Sequence, residues 1–199
     1  MSEVTIGRVL VASLHQAIAD RLPLRLPFYE NWLDAKGLRD GTIGVAPLYA
    51  VLSFLRQEGD VYADVMARAG AYGADWTVQS MRPATYRAMR AMPTWLRVRL
   101  AMRLVRRLVR ETYHDSRASS RVAGGTARVT VQKSIFCSVR EHAGHPLCAY
   151  YAAASARFLE VLGVGSTPDV TACRAMGEPA CVIALSVTGP IAPVDLSVV

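Results

Sequence analysis

The chain has 199 residues, 52% hydrophobic and 20% charged, enough for one globular domain with a sizeable core. Its net charge of +7 is carried almost wholly by arginine, since Lys36 and Lys133 are the only lysines. That balance favours acidic partners, and it is equally what an arginine-rich genomic composition would leave. No run approaches the roughly 20 apolar residues of a membrane span. Met1–Leu14 carries Glu3 before any positive charge and has no small-residue cleavage site. A cytoplasmic location is therefore expected, with the four cysteines as thiols or metal ligands rather than disulfides.

In chain order, residues 4–20 place Ile6, Val9, Leu10, Leu14, Ala17 and Ile18 on one helical face. Arg21–Pro27 holds two prolines and predicts a linker or extended arm. Tyr29, Trp32 and Leu33 suit a short helix over Phe28–Leu38, closed by Gly37 and an Arg39-Asp40-Gly41 turn. Pro47 can open a helix over Leu48–Gln57. Asp60–Val78 reads as a helix capped by Asp60. Its interior Gly70 and Gly73 cost about 1 kcal/mol each against alanine and are more comfortable beside another backbone or a ligand. Pro83 and Pro93 bracket a helical piece over Thr85–Met92. Thr94–Tyr113, capped by Thr94, is the longest helix. On it Arg99, Arg103, Arg106, Arg107 and Arg110 fall within roughly 100° of arc. Ser116–Thr126 reads as a flexible hairpin-like loop, and strands take over from Val129–Phe136.

The last part of the chain holds every cysteine. Arg140–Pro146, with His142 and His145, is a loop that is either solvent-facing or acid–base or metal machinery. Leu147–Leu162 is a mostly buried helix stopped by Gly163 and Gly165. Val170–Cys173 and Cys181–Val187 predict two strands around a tight turn at Met176-Gly177-Glu178-Pro179. Helices followed by strands, with no turn-rich linker between, predict one α+β domain over 1–199. It has a mainly helical part over 1–115 and a strand–helix–hairpin unit over 120–190, the helix-rich half packed on a small antiparallel sheet.

Cys148, an alanine-rich helix, a short strand and Cys173-Arg-Ala-Met-Gly177-Glu-Pro-Ala-Cys181 resemble the V4R (4-vinyl reductase) domain, related to the Bet3-like subunits of the TRAPP tethering complex. The resemblance is firm over about a third of the chain and loose over about two thirds. It implies that Cys148, Cys173 and Cys181 take the positions where aromatic-sensing V4R proteins hold a structural zinc. A thiolate at a helix N-terminus gains from the dipole, and two more from a hairpin complete three corners of a tetrahedron. Those relatives have a glutamate where this chain has Val170. Asp169 is the expected substitute, with Cys137, His145 and Glu178 as alternatives, and the cysteines read equally well as small buried hydrophobes.

The resemblance also implies an apolar pocket beside the sheet, for which Tyr72, Trp76, Phe136 and Tyr150 are the expected lining, though each reads equally as core. Three functions follow: a homodimeric sensory module for a hydrophobic or tetrapyrrole-like molecule, an enzyme or accessory of bacteriochlorophyll biosynthesis, or a scaffold or tether. The arginine face would meet an acidic protein or a membrane surface, if it is not simply solvated. With few aromatics interleaved and no DNA-binding motif, it does not predict a nucleic-acid surface. No GxGxxG or Walker motif is present to hold a hydride donor or nucleotide, and no catalytic grouping stands out.

Overall fold

Apolar stripes at helical spacing give the first half its helices. In the computed structural model, which describes residues 6–33, 37, 44–139 and 142–192, helix α1 spans Arg8–Arg21 and buries Leu10, Leu14, Ala17 and Ile18. Ile6 is not helical; it forms an antiparallel bridge with Tyr113. Nor is Arg21–Pro27 an extended arm. Pro23 opens a 3-10 turn, Pro23–Arg25, and Pro27 lies in the first turn of α2, Leu26–Glu30. In a first turn the missing N–H has no intrahelical partner to lose. Of the short helix expected over Phe28–Leu38, residues 28–30 are helical as the end of α2 and residues 31–33 are not. Gly37 is helical rather than a stop, and the rest, with the Arg39-Asp40-Gly41 turn, lies outside the described residues.

Helices α3 (Val45–Gln57), α4 (Val61–Gln79), α5 (Pro83–Ala91) and α6 (Thr94–Thr112) follow. Two expected caps differ. Asp60 precedes α4 but makes no side-chain cap bond, and its backbone is already helical. Thr94 is the first helical residue of α6, and its Oγ1 accepts instead from Arg97 Nη2 at 3.0 Å.

The expected flexible loop at Ser116–Thr126 is a hairpin. Strands β1 (Arg117–Ala123) and β2 (Thr126–Gln132) are joined by Gly124 and Gly125 at φ of +55° and +74°. A two-residue turn with both φ positive matches the right-handed twist of the strands. After the 3-10 turn Ile135–Cys137, helix α7 (Ala149–Val161) leads directly into β3 (Val164–Ala172), which pairs with β4 (Cys181–Pro190). Both strands are longer than expected, so Gly165 lies inside β3 rather than closing the helix. The β3–β4 connection is not a tight turn: residues 173–180 carry the 3-10 turn Arg174–Met176 and Gly177 at φ +96°.

The sheet order is β1-β2-β4-β3, antiparallel throughout. β2 and β4 send Ala127, Val129, Val131, Cys181, Ile183 and Leu185 inward at period two, all fully buried. Helix α7 packs on α4, α6 and β3 and buries Tyr150, Tyr151, Ala154, Phe158 and Leu159. The fold is α+β, a helix-rich half on a small antiparallel sheet. Gly70 explains how α4 and α7 come so close: a Cβ there would run into the Tyr150 backbone carbonyl, and one on Gly73 into the Tyr150 hydroxyl. No helix among the described residues is long and apolar enough to cross a membrane.

Candidate metal centre and adjoining groove

Four elements each deliver one cysteine to a single point. Cys137 closes the 3-10 turn after β2, Cys148 is the N-cap of α7, Cys173 follows β3 and Cys181 opens β4. All four are buried, none is in a disulfide, and their sulfurs lie within 4.8 Å of one another. Cys137 Sγ is 3.1 Å from Cys148 Sγ, 3.4 Å from Cys181 Sγ and 3.5 Å from Cys173 Sγ; Cys148 and Cys173 are 3.8 Å apart.

The loop before α7 and the turn after β3 are stitched together around this point. Ala143 N–H donates to the Ala175 carbonyl at 2.6 Å, Glu178 N–H to the Cys173 carbonyl at 3.3 Å, and Leu147 N–H to Cys173 Sγ at 3.4 Å. Hydrogen bonds from the Cys137 thiol, then from Cys148 and Cys181, hold the Cys173 thiol far below the usual thiol range. Contacts with Cys137, then Cys173 and Cys181, push Cys148 up, and Cys137 with Cys173 raises Cys181 against a lowering contact from Cys148. The Cys137 thiol is lowered too, by Cys148 first, so the cluster already favours negative charge at Cys173 and Cys137, which is where a cation is attracted.

A zinc ion bonded to sulfur at about 2.3 Å holds its four ligands about 3.8 Å apart. The observed separations are close to that and far too short to enclose an iron–sulfur cluster with its own sulfides. The four sulfurs can therefore hold one soft metal ion. With four protein ligands, such an ion has no open position for substrate, so the chemistry it supplies is structural. Asp169, the expected fourth ligand, is exposed on β3 opposite Ala184, outside the group. His142, His145 and Glu178 are also exposed. Cys137 brings the fourth sulfur to the group.

The four aromatics expected to line one pocket lie in two places. Tyr72 and Trp76 stack, with centroids 5.4 Å apart at 24°, on one wall of an open groove of about 670 Å³ along α4 and α7. Ala71, Ala153 and Ala156 also line it. Its charges are matched within the protein. Arg157 Nε meets Asp75 Oδ1 at 2.7 Å and Arg157 Nη1 meets Glu160 Oε2 at 2.9 Å. Arg68 Nε meets Asp20 Oδ2 at 3.0 Å, to which the Tyr72 hydroxyl also donates, at 2.6 Å. Burial raises the Asp20 carboxyl, but the bonds from Tyr72, Arg68 and Gln16 outweigh it and hold the group below its usual value.

Phe136 and Tyr150 are instead fully buried, their ring centroids 5.0 Å apart, and Phe136 is also 5.0 Å from Tyr151. The hydroxyls of Tyr150 and Tyr151 are buried without a well-formed hydrogen bond, and burial pushes the Tyr150 phenol up to about 12. Phe136 and Cys137 share one 3-10 turn, so the metal site and this aromatic cluster are adjacent residues of one element.

No family model matches the chain, and no curated protein is similar to it. Solved structures do share its fold. The Fe(II) unliganded H-NOX protein from K. algicida superposes with a TM-score of 0.61 at 10% identity, covering 92% of this chain and 97% of that one. The phenol-responsive sensory domain of the transcription activator PoxR, with phenol, gives a TM-score of 0.54 at 14% identity, covering 73% of this chain and 74% of that one. At such identities the likeness is one of fold.

Proposed function

We propose that the chain is a small-molecule sensory module of the V4R type, in which a structural zinc ion on Cys137, Cys148, Cys173 and Cys181 fixes the β3–β4 hairpin to α7. Its ligand is a hydrophobic aromatic molecule, taken by the groove along α4 and α7. The observation that carries the reading is the stacked Tyr72–Trp76 wall beside alanines in a groove of about 670 Å³. That volume lies within the range of about 300–1,000 Å³ usual for small-molecule sites. Because the groove's charges are paired internally, it favours a neutral, flat ligand over an anion. The fold shared with the phenol-responsive sensory domain of PoxR supports the same reading, as does the V4R-like cysteine hairpin.

A histidine-ligated haem does not belong to this reading. Its iron takes an axial side chain facing a cavity. Here His114, His142 and His145 are exposed, and half-buried His15 is bonded to Glu30 at 3.1 Å. The reading takes the chain as one domain that forms a homodimer. Calorimetric titration of the metal-loaded protein with phenol, 2-naphthol and protoporphyrin tests the ligand site. Saturable binding of at least one probe is expected, weakened tenfold or more by Trp76→Ala, which removes the stacking face. The site is refuted if no probe binds, or if Trp76→Ala leaves affinity unchanged. Turnover of a vinyl tetrapyrrole with an added reductant would speak for the enzyme instead.

A further inference from the structure

A second concavity, separate from the metal centre and the α4–α7 groove, runs between α6 and β1. It measures about 610 Å³ and is lined by Arg103, Arg106, Arg107, Arg110 and Arg117, with Leu104 among its apolar contacts. On α6 the first four recur three and four residues apart, so each guanidinium sits beside others of like charge, a destabilising arrangement when no anion is present. Only Arg107 has a carboxylate among the described residues, Glu111 Oε1 at 2.6 Å from its Nε. Beyond the groove Arg121 lies directly across from Arg128 on β1 and β2, which adds to the positive field.

We propose that this groove binds the oligophosphate portion of a small soluble molecule. A guanidinium presents paired N–H donors that match phosphate oxygens two at a time. Neutralising four unpaired guanidinia within so small a volume takes several negative charges close together. A chain of phosphates supplies them, whereas a dicarboxylate supplies two. The part of the basic face that lines the hollow, Arg103 to Arg110, covers about 10 Å of helix axis. That is too short for a nucleic-acid backbone or an acidic helix, either of which would leave most of its charge unmatched. The guanidinia line a hollow, and a flat bilayer would reach only its rim.

The test is calorimetric titration of the full chain with sodium tripolyphosphate at constant ionic strength. Parallel arms use sulfate, phosphatidylglycerol vesicles and poly-glutamate. One tripolyphosphate per chain is expected, bound at least tenfold more tightly than sulfate. Arg103→Gln/Arg110→Gln should weaken it tenfold or more. Arg82→Gln/Arg87→Gln removes equal charge from α5 and the residue that precedes it and should change it less than twofold. Should the first double variant lose its cooperative melt, Arg117→Gln on the exposed edge of β1 replaces it, with weakening of several-fold expected. Non-saturable binding, equal affinity for sulfate, or equal weakening by the α5 control overturns the proposal. So does vesicle or poly-glutamate binding that tripolyphosphate fails to displace.

Discussion

Replacing Cys137 with serine is expected to abolish metal retention and to lower the melting temperature by on the order of 10 °C. The reasoning starts from burial. Four sulfurs within 4.8 Å, all shielded from water, are stable as thiolates only when a cation is shared among them. Removing one ligand opens the coordination shell and leaves the others as crowded buried groups. Breaking a buried charged arrangement in this way costs about 3–5 kcal/mol. For a chain of this length each kcal/mol is about 2–4 °C of Tm. The damage should not stop at the metal, because Cys137 and Phe136 share a turn and the Phe136 carbonyl accepts a bond from Arg56 Nη2 at 2.9 Å. Hydrogen exchange at residues 135–137 and 173–181 should rise together in the variant. Serine at Asp169 in place of aspartate should leave metal content and Tm unchanged, because that side chain lies outside the group. The pH dependence has a definite sign. Bound thiolates are held deprotonated well below the unfolded cysteine pKa of about 8.5. Their contribution is therefore complete above that value and is lost as the pH falls and protons displace the ion.

Gly70→Ala should destabilise the protein by about 2 kcal/mol or more in urea unfolding, opposite in sign to the usual effect. Alanine at an interior helical glycine ordinarily gains about 1 kcal/mol. Here the added methyl would meet the carbonyl of Tyr150, a backbone group held inside α7. It cannot step aside without separating α4 from α7, and overpacking of this kind costs about 1–3 kcal/mol or more. Gly144→Ala, with nothing within 4 Å of the new methyl, should stay within about 0.5 kcal/mol of the parent protein. Ligand affinity should fall in Gly70→Ala as well, since the same two helices line the groove at Tyr72, Trp76, Ala153 and Ala156.

The helices were legible where apolar spacing was regular, as in α1, α6 and α7, and their ends were less so. The prolines of Arg21–Pro27 argued for a break, yet a proline in a first turn is compatible with a helix, so α2 begins there. Strand β1 was hidden because it is a sheet edge. Its residues alternate between exposed and half-buried as far as Arg121 and are exposed after it, with no fully buried face to give a hydrophobic period. The early part of β3 was obscured by Gly165 and Pro168, residues an edge strand tolerates. The α+β class and the two last strands were legible from composition and spacing, and the grouping of Cys148, Cys173 and Cys181 from the V4R resemblance. In the sequence Cys137 is only an alternative to Asp169: it lies eleven positions before Cys148, and only the fold of the intervening loop returns the chain to the same point. The split between Tyr72–Trp76 and Phe136–Tyr150 was equally invisible, since aromatic spacing along helices does not say which side of a helix pair each ring will take.

Cobalt substitution measures the centre most directly. Protein purified without chelators should carry one zinc per chain. After exchange, Co(II) should give the intense sulfur-to-metal charge-transfer band and the visible d–d envelope of a tetrahedral four-thiolate site, both weakened in Cys137→Ser. A preparation with less than a tenth of an equivalent of metal, whose apoprotein binds Co(II) without those bands, would contradict a metal centre built from these four cysteines.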